Sequence, residues 1–232
     1  MNKSINFLKS GYFFVLLIFI AVLGFWQTYF GKLFDGSTDF SFYIHFHFFT
    51  VALWIILLVL QPILIKKKQL VLHKLIGKFS YVLFPILLLS VVLLAHNNNS
   101  IDEPNIALEI FLPFKDIIIL LVAFYIAIRY RKKMNIHARG MIATGIVFIE
   151  PALVRLINNY IIPLPEGYIL NIVIIYLLLG YLIYRERRSK KGRWVFPIIL
   201  AIYIVVHFII LNGVNIEIWN SFTLWFMNLP LT

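Results

Sequence analysis

LVLHKLIGK, at residues 70–78, is a short basic hinge between two apolar runs, residues 43–65 and 75–95. The reading of those runs decides the fold. Each is close to the roughly 20 residues that an apolar helix needs to cross hydrocarbon. His73 sits at the centre of the hinge, before Gly77. A second hinge, RKKMNIHARGM at residues 131–141, repeats the idea with His137 before Gly140.

Working outward, the same kind of apolar run recurs along the whole chain. Of the 232 residues, 62% are hydrophobic and only 13% charged, whereas a soluble domain carries about 25% charge. A soluble core of this size cannot hide seven apolar runs, but a lipid-facing surface accepts apolar side chains on the outside. The expected fold is therefore all-α: one polytopic helical membrane bundle over residues 1–232. Its seven transmembrane helices are placed at residues 12–30, 43–65, 75–95, 111–130, 138–160, 168–184 and 194–211. Pro85 is expected to kink the third span, and Pro113 to fall in the first turn of the fourth, where proline is tolerated. The tail beyond residue 212 holds Trp219, Phe222, Trp225 and Phe226. It is too broken for another span and suits the membrane interface.

The charges orient the bundle. Of the 21 basic residues, 18 fall in the head (Lys3 and Lys9) and in the connectors after the second, fourth and sixth spans. The exceptions are Lys32, Lys115 and Arg155, and the one acid in those basic segments is Glu186. By the positive-inside rule the N-terminus lies inside and the C-terminus outside. The expected location is a cell membrane, with multiple passes. The formal charge of +11 is thereby explained by topology, and no nucleic-acid partner is implied. With no cysteine in the chain, disulfides, thiolate metal sites and cysteine nucleophiles are excluded.

Polar residues at membrane depth are the functional candidates, because they are costly there. His45, His47, His96 and His207 fall toward the outer side, and His73 and His137 toward the inner. Residues two apart on a helix face different ways, so at most one of His45 and His47 faces the bundle. His47 is preferred, because His47, Trp54 and Gln61 recur every seven residues. His137 and Arg155 are 18 residues apart. In an unbroken helix that is five turns and about 27 Å, which puts both on one face. Arg155 then either snorkels alone to the outer interface or meets an acidic or phosphate-bearing group, such as a haem propionate, a lipid head or a substrate. Glu150 lies deeper on another face and needs a partner. Lys115, beside Asp116, is either an interfacial anchor or an anion contact. Tyr203, one turn before His207, is placed to orient its ring.

HKLIGKFSY, the QP of the preceding span and the later HARGM together resemble a bacterial family of uncharacterised multi-span membrane proteins with His/Gly-Arg hinges. The matching positions are His45 or His47, Gln61, His73, Gly77, Tyr81, His137, Met141 and Arg155, over roughly residues 43–156. Lys74 and Lys78 stand where that family uses arginine. The resemblance implies a multi-span fold and no particular activity. The spread of histidines over both leaflets also resembles b-type cytochromes. That likeness implies haem b, with His73 and His137 as an inner pair and His47 with His96 or His207 as an outer one.

Three classes of function follow. The leading one is a structural or accessory membrane protein whose partner is the lipid bilayer. The second is a haem-binding electron-transfer or quinone-linked redox protein. The third is a zinc-dependent intramembrane hydrolase using His96, His207 and His45 or His47, or a small transporter with Glu150 and Arg155 along its path.

Overall fold

Lys66, Lys67 and Lys68 end one long helix, and Lys68 takes a left-handed backbone (φ 60°) that turns the chain back on itself. The helix before it is α3 (Phe42–Lys66) and the one after it α4 (Leu70–Asn97). They pack together as an antiparallel hairpin. The computed structural model describes residues 10–232, so Lys3 and Lys9 of the basic head lie outside the described residues.

All regular structure among the described residues is helical. Apolar side chains cannot satisfy the backbone in lipid, so each segment must pair its own N–H and C=O groups, as a helix does. In chain order the remaining helices are α1 (Ser10–Gly24), α2 (Gly31–Asp35), α5 (Ile106–Arg129), α6 (Met134–Val147), α7 (Ile149–Tyr160), α8 (Glu166–Glu186), α9 (Val195–Leu211) and α10 (Glu217–Met227). Five spans are long and apolar enough to cross a membrane: α3, α4, α5, α6 with α7, and α8. The count is six if α1 and the segment Trp26–Asp35 are one bent span. The segment α9, expected as the seventh span, has 17 residues.

Two of the expected spans are broken. Beyond Gly24 the chain makes one wide π turn, Trp26–Phe30, and heads off at 53° to α1. Gly24 itself is pressed against Ala152 of α7, so a Cβ there would overlap the Ala152 carbonyl. The fifth span divides at Phe148 into α6 and α7. Pro151 lies three residues beyond the break. It has no N–H to give and clashes with the carbonyl four residues back, so the helix restarts with proline in its first turn. By contrast α4 runs through Pro85 as one helix. Pro113 lies well inside α5, which starts earlier than expected, at Ile106.

The core lies where α3, α4, α5 and α6 meet. Trp54 is fully buried, donates its Nε1–H to Thr144 Oγ1 (3.3 Å) and packs against Phe84 and Phe124, which stack 3.9 Å apart. Gly140 lets α6 approach α5, since a Cβ there would sit 2.7 Å from the Ala127 nitrogen. Small residues at such crossings let membrane helices gain dispersion contacts. Large apolar side chains such as Phe13, Phe19, Leu89, Leu177 and Phe208 point outward, as a lipid-facing surface requires. In the tail, α10 lays Trp219, Phe222 and Phe226 against Phe114 of α5. At 11 residues it is about 16 Å long, too short to cross.

Candidate functional site

The break at Phe148 does more than bend a span. It puts a helix N-terminus at membrane depth, with Glu150 in its first turn. The positive end of a helix dipole favours a carboxylate at that place. Glu150 Oε1 receives Lys115 Nζ from α5 at 2.9 Å and His207 Nε2 from α9 at 3.3 Å. Lys115 also holds Asp116 at 2.7 Å. His207 completes its ring with Tyr176, whose hydroxyl lies 3.2 Å from Nδ1. A neutral His207 therefore donates from Nε2 to the carboxylate and accepts at Nδ1. The expected role of Tyr203 is taken by Tyr176; the Tyr203 ring only packs beside His207.

Lys115, Glu150 and His207 are all 2% exposed or less. Burying ions costs several kcal/mol each unless they are paired and hydrogen-bonded, and here three helices supply the partners. Lys115 is thus a buried ion-pair residue and not an interfacial anchor. The pairing stops short of completion: Glu150 Oε2 is buried and has no hydrogen-bond partner.

Arg155, further along α7, belongs to no ion pair among the described residues. It donates to the Pro151 carbonyl (2.9 Å) and lies over the Phe25 ring at 4.6 Å. Asp116 and Glu109 exert electrostatic pull on it without closing to contact. His137, expected on the same face, instead donates its Nδ1–H to Ala127 of α5 at 2.9 Å. The one-residue interruption at Phe148 breaks the continuous helix that the spacing argument assumed.

Two adjoining cavities explain what Arg155 faces. One, of about 530 Å³, is almost wholly apolar and lies between α1 and α3, with Ile18, Val22, Phe48 and Ile56 among its walls. The other, of about 460 Å³, reaches into the bundle and is lined by Lys115, Asp116, Glu150, Glu109 and Tyr168. Phe25, His47, Asn98 and Arg155 line both. Arg155 and His47 thus stand where an apolar and a charged cavity adjoin. Asn98 and Asn99, at the end of α4 away from the basic connectors, line the charged one.

His47 is held by a small hydroxyl network. Ser90 donates to the Leu87 carbonyl at 2.7 Å, and His47 Nδ1 lies 3.1 Å from the same Ser90 oxygen. The contact with Ser90 holds the His47 ring by Nδ1 and turns Nε2 away from the network, beside the cavities. Thr50 closes the network at 2.9 Å from Ser90 Oγ. His45 is exposed and pairs with the Tyr29 hydroxyl at 2.9 Å.

The remaining candidates do not join this site. His96 meets Thr232 at 2.5 Å and lies edge-on to Phe226, so it ties the tail to α4. At the opposite end, the Gln61 amide binds His73. Its oxygen accepts from the Gly77 N–H at 3.1 Å, while its NH₂ faces the His73 carbonyl and Nδ1. The His73 and His137 rings are close enough for their charges to interact. No three His, Asp or Glu side chains among the described residues cluster to hold a metal ion. The zinc arrangement of His96, His207 and His45 or His47 is therefore not assembled.

One buried pair escaped the sequence reading. Arg139 of α6 and Glu186 of α8 form a salt bridge with both residues 1% exposed or less, and Arg139 also donates to Ser189 at 3.1 Å. Both had been assigned to basic connectors. The available signal was Glu186 itself, the lone acid among those cations.

Compared with protein-family profiles, with curated proteins and with solved structures, the chain matches none.

Proposed function

We propose that the chain is an accessory membrane protein that binds one amphiphile from the outer leaflet, and that it carries out no chemistry of its own. The single observation behind this reading is the adjoining pair of chambers, one apolar and one charged, with Arg155 lining both. Sites that bury a ligand are mostly apolar with a few placed polar groups; this pair has that make-up, with the polar groups gathered in one chamber. In this reading α9 is a seventh span, the basic connectors are cytoplasmic, and the protein resides in a cell membrane. The kinship to the hinge-bearing bacterial family belongs to the same proposal. Purification in mild detergent followed by native mass spectrometry tests it. A bound lipid or quinone is expected, with occupancy falling in Arg155→Gln. Protein that carries no amphiphile, and takes up none from mixed vesicles, would end the reading.

Haem binding is the competing reading, and one observation favours it. His47 has Nδ1 anchored to Ser90 and Nε2 beside an apolar cavity that Arg155 also lines. A histidine held at one nitrogen is the usual way to present the other to a metal, and Arg155 is placed for a propionate. A Soret band lost in His47→Ala would replace the first reading with this one. Protein that stays colourless after incubation with haem would remove it.

A further inference from the structure

The charged chamber keeps opposite charges apart. Arg155 forms one wall, and Glu109, Asp116 and Glu150 line the same space. Lys115 already answers the Asp116–Glu150 pair with a single ammonium, which leaves the acidic side one negative charge in excess before Glu109 is counted. Asp116 and Glu109 attract Arg155 electrostatically, yet no carboxylate reaches it. Unlike charges facing one another at membrane depth, out of contact, favour a guest that carries both signs.

Glu150 Oε2 sharpens the choice. Its side chain is 3% exposed and this oxygen makes no hydrogen bond, and the neighbouring Tyr168 hydroxyl, likewise without a partner, lines the same chamber. A buried carboxylate oxygen without a donor is costly, and a guest N–H would satisfy it. A quaternary ammonium has no N–H to offer. A primary ammonium has three.

We infer, resting on the amphiphile-binding reading above, that the guest has a phosphate–primary ammonium head of the phosphatidylethanolamine class. Its phosphodiester meets Arg155, its ammonium meets Glu150 Oε2 and the neighbouring acids, and its acyl tails lie in the apolar chamber between α1 and α3. The His47 ring lines the same space beside the head.

The test is competitive loading of the full-length protein, read by native mass spectrometry. The probes are phosphatidylethanolamine, phosphatidylcholine and phosphatidylglycerol of matched chains, ubiquinol, and soluble phosphoethanolamine. Phosphatidylethanolamine is expected to exceed phosphatidylcholine by about tenfold, the loss that follows when charged hydrogen bonds go unmade. Glu109→Gln, on the ammonium side of the chamber, is expected to narrow that ratio, and Arg155→Gln, on the phosphate side, to lower the loading of both lipids alike. Equal loading of the two zwitterionic lipids, or preference for phosphatidylglycerol or ubiquinol, would overturn this head assignment and leave the amphiphile reading standing. Loading of none of the amphiphiles would overturn both. Phosphoethanolamine competing as well as the intact lipid would overturn the lipid source.

Discussion

Lys115 of α5 and Glu150 of α7 meet at 2.9 Å in a part of the bundle where each side chain is 3% exposed. Neither helix could bury its charge alone, so the pair ties their relative placement to the survival of the ions. His207 joins from α9 through the same carboxylate oxygen.

Removing one member of this group is expected to cost about 3–5 kcal/mol, because an uncompensated buried charge is left behind. Lys115→Met and Glu150→Met should each lower the detergent-solubilised melting temperature sharply. The triple variant, Lys115→Met with Glu150→Met and Asp116→Asn, should recover most of the loss. Additive losses in a thermal-shift cycle would show that the pair is not coupled.

Arg139 and Glu186 are expected to behave the same way at the other end. Arg139→Ala should separate α6 from the end of α8, and the double-mutant coupling should be about 0.5–3 kcal/mol. A coupling near zero in urea or thermal unfolding would contradict the buried salt bridge.

Gly140 is a steric test of the α5–α6 crossing. A Cβ at this position would fall 2.7–2.8 Å from three Ala127 atoms, two of them backbone. Gly140→Ala should therefore destabilise by about 1–3 kcal/mol, the usual range for overpacking. Gly180, with nothing within 4 Å of a Cβ, is the internal control, and Gly180→Ala should be neutral or stabilising, since alanine is the better helix former.

Topology is testable residue by residue. Reporters placed at Lys67, Lys132 and Arg188 should label from the cytoplasmic side, and reporters at Gly36 and Asn99 from the outer side. One basic connector found outside would undo the orientation and the outer placement of the chambers.

Much of this was legible in the chain. Long apolar runs punctuated by lysine and arginine announce helices, and the turn at Lys66–Lys68 falls where the charges said it would. Glu150, Arg155 and Lys115 stood out because a charge in an apolar run is conspicuous. Their partners did not, because Lys115, Glu150 and His207 come from helices far apart in sequence, and pairing across helices leaves no local spacing. The shared face assigned to His137 and Arg155 presumed an unbroken helix, and Pro151 was the residue that argued for an interruption. Arg139 was hidden in plain sight, since a buried arginine beside four surface cations looks like a fifth. The link from Gln61 to His73 was within reach, as the QP and LHK segments face each other across a short turn.

Helix α9 has 17 residues, which at 1.5 Å per residue is about 26 Å, against a hydrocarbon layer of about 30 Å. Its neighbour α8 has 21 and matches the layer. In the seven-span reading proposed above, a bilayer surrounding both would have to thin beside α9 or let its flanks, Trp194 and Asn212, sink. On that reading, thick sterol-rich or long-chain bilayers are the least hospitable to this fold.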